Sequence, residues 1–387
     1  MRITHLCLAC FFPDGYSYQE NMLPKFHKLQ GHEVSVIASL QTFDKNGNVS
    51  YMDKASEYQN EYNIPVIRLD YRKPDKVYKK LKKFYGLKEA LEKTNPELLF
   101  IHGCQFLDID IVINYLKKYP ETIVYVDNHA DFSNSATNWL SKNILHKVLW
   151  RSMAQLIEPY IKIFYGVLPA RVDFLVNMYK LPKEKCKLLV MGSDDELVIE
   201  AQKPETSKKI REKYNVKEDD FLIMTGGKID LFKTQTLLLM QAVKNINNSK
   251  VKLIVFGSVA PELREKIEEL SDGTLVQYIG WIEANDSYQM FAAADLVMFP
   301  GRHSVFWEQV VGQGIPMVVK HWDGTTHVDC GGNVEFLYKD SEDEIRTKIE
   351  EIVFTDKYLE MKKAAEKAKV HFMYSEIAKK SIEAETR

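Results

Sequence analysis

The sequence predicts an α/β protein built from two αβα units. Two observations indicate this class: short apolar runs alternate with helical patterns along the first half, and the same rhythm begins again after residue 207. Strands that are separated by helices form parallel sheets covered on both faces. The length of 387 residues also favours two domains, at roughly 100–200 residues each.

In the first half, the apolar run 3–10 predicts a buried strand, and 17–30 predicts the helix that follows it. Ser17 and Glu20 have the spacing of a capping box, whereas Pro24 should kink this helix or delay its start. Further strands are predicted at 34–39, 65–69, 98–102, 122–126, 161–167 and 187–190.

In the second half, the polar stretch 200–207 predicts a linker, and 357–384 predicts one long helix of mixed charge. Shorter helices are predicted at 235–245 and 262–270, and strands at 221–225, 251–256, 275–279, 296–299 and 316–319. Parallel sheets bind ligands at the carboxyl ends of their strands, so the loops after these strands are the candidate sites.

Composition excludes several classes of protein. The chain has 52 Lys and Arg against 54 Asp and Glu, a net charge of −2, which argues against a nucleic-acid-binding protein. No apolar run approaches the ~20 residues that span a bilayer, and no signal-peptide cleavage site follows the first strand. The five cysteines are scattered, and Cys7 and Cys10 face opposite sides of a strand. We therefore expect a cytoplasmic protein without disulfides.

Gly15 lies in the first loop of interest, between the first strand and its helix. Free amide groups at a helix N-terminus favour an anion there, because the helix dipole is positive at that end. An ordinary strand-to-helix turn is an equally good interpretation, since the loop has one glycine and not the GxGxxG pattern.

Gly226 and Gly227 follow the strand 221–225 and precede Lys228 and Lys233. Paired glycines allow backbone to approach a phosphate, and two lysines five residues apart can bracket a diphosphate. The alternative is a turn with two solvated lysines.

The third loop follows the strand 296–299 and contains His303 and Ser304 before a helix that carries Glu308. A carboxylate there can accept hydrogen bonds from both ribose hydroxyls. Alternatively, the Glu308 carboxylate only stabilises its own helix, because it lies near the positive N-terminal end of the helix dipole. Gly314-Ile315-Pro316 then leads into the next strand.

These loops resemble those of the GT-B glycosyltransferases, and most closely the large retaining family four. Gly227-Lys228-Ile229 with Lys233 resembles the family's G-R-L-x-x-x-K-G stretch, and Glu308 resembles the second Glu of its E-x7-E signature, which leads into a G-x-P strand. The segments 192–194, 279–282 and 293–296 also resemble family segments. The resemblance therefore covers nearly the whole chain.

The resemblance implies the GT-B fold: two Rossmann-like domains that face a cleft, with a C-terminal helix that crosses back to the N-terminal domain. Residues 1–195 would bind the acceptor, 196–365 the nucleotide-sugar donor, and 366–387 would form the returning helix. The implied reaction transfers a sugar, with retention, from a UDP- or GDP-linked donor to a glycan or lipid-linked acceptor in bacterial surface polysaccharide synthesis. No cofactor, metal or nucleic acid is implied.

By the same resemblance, Lys228 and Lys233 neutralise the leaving diphosphate and Glu308 holds the donor ribose. The family's first Glu has no counterpart in the shortened loop before Glu308, so His303 and Ser304 are expected to face the diphosphate or the sugar. The remaining implied site residues are Gly15 and His129 at the reacting centre, with His102 as a second candidate histidine, and Gly226, Gly227, Gly257, Trp281 and Ile282 around the donor.

The segment 72–93 carries nine Lys and Arg against three Asp and Glu, a local charge of +6 that leaves −8 for the rest of the chain. Val77, Leu81, Phe84 and Leu91 recur in it at helical spacing. A basic amphipathic helix can lie on an anionic membrane, at the inner face if the acceptor is lipid-linked. The alternative is a surface helix whose apolar stripe packs on the sheet.

Two other functions fit the same scaffold. A nucleotide-sugar epimerase would need a cluster of acidic and basic residues in the cleft, and the missing first Glu disfavours it. A non-catalytic subunit that binds a sugar nucleotide is supported by the shortened loop, whereas Lys228, Lys233 and Glu308 argue for turnover.

Overall fold

The computed structural model describes residues 1–44, 48–231 and 233–383 of the chain. These residues divide into two compact units. The first comprises Met1–Val190 together with the described residues from Ile377 on, and the second is Met191–Glu376. The first division lies close to the predicted boundary at 195, whereas 366–376 belongs to the second unit and not with the last residues.

The first unit contains an eight-stranded sheet in the order β10-β9-β8-β7-β1-β2-β6-β5. All neighbours in it are parallel except β5 and β6, and β3 pairs with β4 as a separate hairpin. The strands are β1 (Arg2–Cys7), β2 (Glu33–Ser39), β3 (Gln41–Phe43), β4 (Val49–Tyr51), β5 (Ser56–Gln59), β6 (Pro65–Leu69), β7 (Leu98–His102), β8 (Ile123–Asn128), β9 (Ile163–Gly166) and β10 (Cys186–Leu188).

Helices cover this sheet, and every residue of the central strand β7 is buried, as expected for a parallel strand packed on both faces. The helices are α1 (Gln19–Leu29), α2 (Asp75–Leu81), α3 (Leu87–Thr94), α4 (Ile109–Lys118), α5 (Arg151–Ile157) and α6 (Pro169–Asn177). A π-helical segment, Ser141–Trp150, runs directly into α5, and 3₁₀ turns lie at Glu158–Tyr160 and Lys183–Lys185.

The second unit contains a six-stranded, fully parallel sheet in the order β13-β12-β11-β14-β15-β16. Its strands are β11 (Phe221–Gly226), β12 (Val251–Phe256), β13 (Val276–Tyr278), β14 (Leu296–Phe299), β15 (Met317–Lys320) and β16 (Val334–Leu337). The helices that follow the first unit along the chain are α7 (Asp195–Ala201), α8 (Pro204–Lys213), α9 (Gln235–Ile246), α10 (Arg264–Leu270), α11 (Asp286–Ala292), α12 (Phe306–Gly312), α13 (Glu342–Val353), α14 (Lys357–Ala368) and α15 (Tyr374–Ile382), with 3₁₀ turns at Pro261–Leu263, Thr326–Val328 and Lys369–Phe372.

The predicted linker 200–207 is wrong, because all of these residues except Gln202 and Lys203 belong to α7 or α8. The side chain of Asp194 accepts a hydrogen bond from the Glu196 amide at 3.1 Å and caps α7. Pro204 begins α8, where its fixed φ and missing N–H are tolerated. A polar stretch between sheets is therefore the end of one helix and the start of another, the first capped by Asp194 and the second begun by Pro204.

The predicted capping box at Ser17 and Glu20 is also wrong. The helix α1 begins at Gln19, with Tyr18 before it and no side-chain cap. The Asn21 side chain instead donates to the carbonyl of Pro13 at 2.9 Å and so ties the preceding loop to the first turn. Pro24 lies inside this helix.

The predicted helix 357–384 is broken between α14 and α15, and Ala384 lies outside the described residues. The break is caused by Ser193, whose amide donates to Phe372 O at 2.7 Å and whose carbonyl accepts from Tyr374 N at 3.0 Å. Phe372 is buried at this point. Backbone pairing to a distant segment thus replaces one helical turn.

A single amphipathic helix over 72–93 is wrong, because α2 and α3 are separated by a turn with Lys82 and Gly86 in the left-handed conformation, at φ of 54° and 77°. Phe84 in this turn is fully buried, and its amide donates to Asp108 Oδ2 at 2.6 Å. Leu91 is buried as well. None of the helices in the described ranges is both long and apolar enough to cross a bilayer.

Candidate functional site

In the second unit, the loops after the neighbouring strands β11 and β14 form a cavity that is open to solvent. It is lined by Thr225, Gly226, Lys228, Ile229, Lys233, Thr236, Phe299, Pro300, Gly301, Arg302 and Ser304. The structure therefore brings together four of the residues named from the sequence: Gly226, Lys228, Lys233 and Ser304.

The two lysines of this cavity differ in environment. Lys228 is largely exposed, and its Nζ lies 3.6 Å from Asp230 Oδ2. Lys233 is half-buried, and burial, together with the charge of Lys228, lowers its pKa although Asp230 opposes the shift. Burial of an ammonium group is costly unless an anion compensates for it, so Lys233 is the stronger candidate for contact with a phosphate.

Gly227 and Gly257 bring the loops after β11 and β12 into direct backbone contact. Gly227 has φ of +116° and Gly257 has φ of +124°, and a Cβ on Gly257 would lie 1.8 Å from the Gly227 carbonyl oxygen. The Gly227 amide donates to Phe256 O at 3.1 Å, and a Cβ on Gly226 would lie 2.2 Å from the Phe256 ring. Packing thus requires Gly226 and Gly257, and backbone conformation requires Gly227, independently of any phosphate.

The expected base pocket begins at the same contact. The Gly257 amide donates to Gly280 O at 2.7 Å, which joins the loop after β12 to the loop after β13. Trp281 follows with 64% of its surface exposed, and Ile282 is half-buried. An exposed indole beside three strand ends offers a flat apolar face to a planar ligand.

Glu308 lies in α12 and is fully buried. Its Oε1 accepts hydrogen bonds from His303 Nε2 at 2.8 Å and from His327 Nε2 at 2.9 Å. Burial alone would raise the pKa of this carboxyl, but the charge of His303 and the hydrogen bonds from both imidazoles lower it to about 2. Glu308 is therefore a carboxylate that two histidines hold in place.

Two atoms of this cluster are buried without a hydrogen-bond partner in the described structure: Glu308 Oε2 and His327 Nδ1. An unsatisfied buried acceptor is costly and calls for a ligand or water. Glu308 Oε2 is the atom that would accept from a ribose hydroxyl, and that role stays a prediction.

His327 was not identified from the sequence. It lies in the 3₁₀ turn Thr326–Val328, which follows β15, and only 2% of its side chain is exposed. The signal available in the sequence was its place in the loop after a parallel strand, beside the loop that carries His303.

His303, Glu308 and His327 are also a set of residues that could hold a metal ion, since one ligand atom from each lies within 4.8 Å of the others. Two histidines and one carboxylate are a known ligand set for zinc and for iron. The two imidazole-to-carboxylate hydrogen bonds explain the short distances equally well.

In the first unit, the loop that contains Gly15 does not present a free amide at that residue. Gly15 has φ of +77°, and its N–H donates to Glu61 Oε1 at 2.8 Å. Arg68, which is almost fully buried, donates to Phe12 O at 2.6 Å and lies 3.8 Å from Asp14. The Gly15 amide is therefore bonded to the protein's own Glu61, and a role of this loop in ligand binding stays a prediction.

His129 follows β8 and lies between two carboxylates. Its Nε2 is 3.5 Å from Asp127 Oδ2 and 3.7 Å from Glu20 Oε1, and 30% of its side chain is exposed. Burial lowers the pKa of His129, but Glu20 and Asp127 outweigh this and raise it. The two carboxylates thus favour the protonated form of His129, whose Nε2 is buried without a hydrogen-bond partner in the described structure.

His102, the second candidate from the sequence, is fully buried and donates to Asp127 Oδ2 from Nδ1 at 2.7 Å. It also contacts His5, and His5 contacts His27. His5 and His27 were not predicted from the sequence as members of a group. Their signal was the presence of imidazoles inside apolar strand and helix patterns, where a polar group needs a partner.

No family model and no curated protein matches the chain. A glycosyltransferase from Rickettsia africae ESF-5 matches it with a TM-score of 0.68 and 14% identity, over 99% of this chain and 97% of that chain. HepE (Alr3699) of Anabaena, in complex with UDP and glucose, matches with a TM-score of 0.61 and 16% identity over 99% of each chain. A UDP-GlcNAc 2-epimerase from Neisseria meningitidis, bound to UDP-GlcNAc, matches with a TM-score of 0.63 and 14% identity over 99% of each chain.

The structural neighbours are thus GT-B enzymes, and several of them are glycosyltransferases. At these identities the likeness establishes the fold alone. The chain has the GT-B fold predicted from its sequence, whereas retention and membership of family four stay predictions.

Replacing Gly257 by Ala should lower the free energy of unfolding by about 3 kcal/mol or more, because the new Cβ meets the Gly227 carbonyl. Gly273→Ala is the matched control, since Gly273 has φ of +71° and open space around it. It should cost about 1 kcal/mol, the strain of a left-handed alanine. Urea unfolding followed by fluorescence measures both, and equal losses would contradict the loop contact.

Glu308→Gln should destabilise the protein at pH 7 by about 2–4 kcal/mol, because two charge-assisted hydrogen bonds inside the unit are weakened. The lowered pKa means that the ionised Glu308 stabilises the fold above its unfolded pKa of about 4.3. This contribution is lost as the pH falls toward about 2. The difference between wild type and variant should therefore shrink between pH 5 and pH 2.

Thermal unfolding across that pH range measures the difference. Glu360→Gln is the control, because Glu360 is exposed, and it should change stability by less than about 0.5 kcal/mol at every pH. A constant gap between wild type and Glu308→Gln would mean that Glu308 is not held as a carboxylate.

Proposed function

We propose that the protein is a glycosyltransferase that moves a sugar from a nucleotide diphosphate sugar to a glycan or lipid-linked acceptor, with retention at the anomeric carbon. The observation that carries the proposal is the cavity at the ends of β11 and β14, which the half-buried Lys233 and the exposed Lys228 both line. Two cations at the carboxyl ends of parallel strands fit a diphosphate.

In the proposed reaction, an acceptor hydroxyl oxygen forms a bond to the anomeric carbon while the bond from that carbon to the diphosphate oxygen breaks. The hydroxyl proton passes to the departing phosphate oxygen, and the nucleoside diphosphate leaves. Lys228 and Lys233 stabilise the charge that develops on the diphosphate, so the step needs no metal. His129, held by Asp127 and Glu20, is assigned to the reacting sugar.

A uridine donor is proposed first, because neighbouring structures of the same fold contain UDP, UDP-glucose or UDP-GlcNAc. In this chain the exposed Trp281 beside Gly257 is assigned to the base, and Glu308 Oε2 to the ribose. His303 and Ser304 are assigned to the diphosphate or the sugar. A GDP-sugar is the second candidate donor.

The loop that contains Gly15 supports a carbohydrate acceptor. Tyr16 and Tyr18 stack at 5.5 Å between ring centroids, Phe11 stacks on Phe43 at 4.6 Å, and both tyrosines are more than one third exposed. Exposed aromatic faces beside polar loop atoms form a surface on which a sugar ring can stack.

Lys228→Ala combined with Lys233→Ala should abolish transfer and weaken UDP binding by at least about tenfold, because charge-assisted hydrogen bonds to phosphate are lost. Isothermal titration with UDP, performed in EDTA, measures binding, and release of UDP from UDP-sugars with a glycan acceptor measures transfer. Lys266→Ala combined with Lys363→Ala changes the charge equally at exposed sites of the same unit and should have no effect.

Undiminished transfer by the double lysine variant would overturn the proposal. Loss of UDP binding by the wild type on addition of EDTA would overturn metal independence and would point to His303, Glu308 and His327 as metal ligands.

A nucleotide-sugar epimerase is the second candidate, because enzymes of that activity match this fold as well as the transferases do. Incubation with the donor alone separates the two, since an epimerase converts the sugar without an acceptor. A non-catalytic subunit would bind UDP and give neither product.

For a lipid-linked acceptor, we propose a membrane contact at a different surface from the segment 72–93. Along the helix 141–157 and the two residues before it, apolar side chains face solvent in steps of four: Leu140, Ile144 and Val148 are 56%, 45% and 58% exposed. Trp139 and Leu156 are exposed by 71% and 56%.

This surface, which we call the apolar stripe, lies in a segment whose charged residues are all cationic. Lys142, Lys147 and Arg151 lie on the same helix, and no Asp or Glu occurs between Asp131 and Glu158. An apolar stripe flanked only by cations fits the interface of an anionic bilayer, where each Lys or Arg contributes about 1 kcal/mol. Peripheral membrane association is therefore part of the proposed function.

Ile144→Ser combined with Val148→Ser should reduce sedimentation with phosphatidylglycerol-containing vesicles by about tenfold or more, because two inserted apolar side chains are lost. Leu359→Ser combined with Val370→Ser removes two equally exposed apolar residues outside the stripe and should bind like the wild type. If Lys80→Ala combined with Lys88→Ala abolishes binding and the stripe variant does not, the contact lies in 72–93 after all.

A further inference from the structure

Three buried histidines form a hydrogen-bonded row inside the first unit. His102 of β7, His5 of β1 and His27 of α1 are each 0–1% exposed. His102 Nε2 lies 3.0 Å from His5 Nδ1, and His5 Nε2 lies 3.0 Å from His27 Nδ1. The proposed function uses none of these three rings, so the row needs its own explanation.

Both ends of the row meet oxygen atoms. At one end, Asp127 Oδ2 lies 2.7 Å from His102 Nδ1. At the other, His27 Nε2 lies 3.0 Å from the Ala378 carbonyl and 3.0 Å from Ser381 Oγ, both in α15. The Ser381 hydroxyl donates its own proton to the Ala378 carbonyl at 2.7 Å. His27 Nε2 therefore faces a carbonyl that can only accept, and must carry a hydrogen.

This requirement passes along the row. A neutral imidazole has one N–H and one acceptor nitrogen, so a donating His27 Nε2 leaves Nδ1 to accept from His5 Nε2. His5 Nδ1 must then accept from His102 Nε2. His102 Nδ1 faces Asp127 Oδ2. A proton in that short contact is additional to the one that His102 already carries on Nε2.

The number of protons that the row needs follows from its number of hydrogen bonds. The row contains four links, from Asp127 through three imidazoles to the Ala378 carbonyl, and each link needs one proton. Three neutral imidazoles supply three. Three neutral rings beside an ionised Asp127 would leave one link without a proton in a site from which water is excluded, where an unmade hydrogen bond is costly.

We infer that the row holds one proton more than three neutral rings carry, as an imidazolium at His102 paired with the Asp127 carboxylate. The assembly of Asp127, His102, His5 and His27 is then electrically neutral, which makes its burial tolerable. Its three histidines are positioning residues: they keep Asp127 ionised beside His129 and fasten α15 to the first unit. This inference does not depend on the proposed reaction.

The surrounding charges place the extra proton on His102. Burial lowers the pKa of His102, but Asp127, Cys7 and Glu20 outweigh this and raise it to about 10. Burial lowers the pKa of His27 to about 3, and the charges of His32 and His102 act in the same direction. The hydrogen bond to the Ala378 carbonyl opposes this shift.

The pKa values of the two remaining members of the assembly, His5 and Asp127, are both lowered. His5 has a pKa well below its ordinary value because of burial and its two imidazole neighbours. Burial raises the pKa of Asp127, but His102 and His129 outweigh it and leave the carboxyl strongly acidic. The charge of Arg171 lowers the pKa of His129 and so opposes the effect of Glu20 and Asp127 on that ring. Both the hydrogen-bond geometry and the surrounding charges therefore place the extra proton on His102.

The pH dependence follows from the sign of the His102 shift. Folding raises the pKa of this ring, so its proton stabilises the fold fully below the unfolded value of about 6.5. That contribution is lost as the pH rises through about 10. At pH 8 an ordinary histidine is neutral, whereas His102 should still be an imidazolium.

Two-bond proton–nitrogen spectra of protein labelled with 15N-histidine and deuterated elsewhere test this at pH 8. We expect one buried imidazolium and two neutral rings with the proton on Nε2, linked by nitrogen–nitrogen couplings across the N–H···N bonds. Those couplings identify the row without any substitution. His129→Gln is the control, because His129 lies outside the row and its replacement should leave the signals of the row in place.

Asp127→Asn should remove the imidazolium at pH 8, because the amide no longer compensates its charge, whereas Ser381→Ala should keep it, because the Ala378 carbonyl remains. Three neutral rings in the wild-type spectrum, or the proton on Nδ1 of His27 or of His5, would overturn the inference. The wild-type spectrum alone tests the inference, so the test does not depend on whether the variants fold. Loss of transferase activity has no bearing on this result.

Discussion

Burial of parallel strands on both faces is the constraint on which the other features of this structure depend. A polar side chain in such a sheet has two acceptable positions: the carboxyl end of a strand, or a site where neighbouring side chains satisfy it completely. The second unit uses the first solution, with Lys233, His303 and His327 in loops after its strands. The first unit uses both, with His129 in a loop and His102 inside the sheet.

Each unit contains one fully buried carboxylate held by two histidines. Glu308 accepts from His303 and His327 through one oxygen, and Asp127 accepts from His102 and lies near His129. In both cases the imidazoles compensate a charge that burial alone would neutralise. A carboxylate fixed in this way can orient an imidazole toward a ligand without itself being exposed.

The residues named from the sequence around the cavity of the second unit come together because β11 and β14 are neighbours. Spacing along the chain predicted Lys228 and Lys233 but not His327, which reaches Glu308 from the next strand. Local rules failed where a distant segment competed: Ser193 breaks the last helix by pairing with Phe372 and Tyr374. The predicted linker 200–207 was wrong for a different reason, since this polar stretch contains the end of α7 and the start of α8.

The sequence by itself determined the two parallel αβα units, the loops that hold Lys233 and Glu308, and the glycines between them, because period, capping and turn residues act locally. Tertiary structure alone decided which histidines meet. His5, His27 and His102 come from β1, α1 and β7, and the proton that they share follows from what lies at both ends of their row, Asp127 and the Ala378 carbonyl. No spacing rule contains that information, because the number of protons depends on donors and acceptors far apart in the chain.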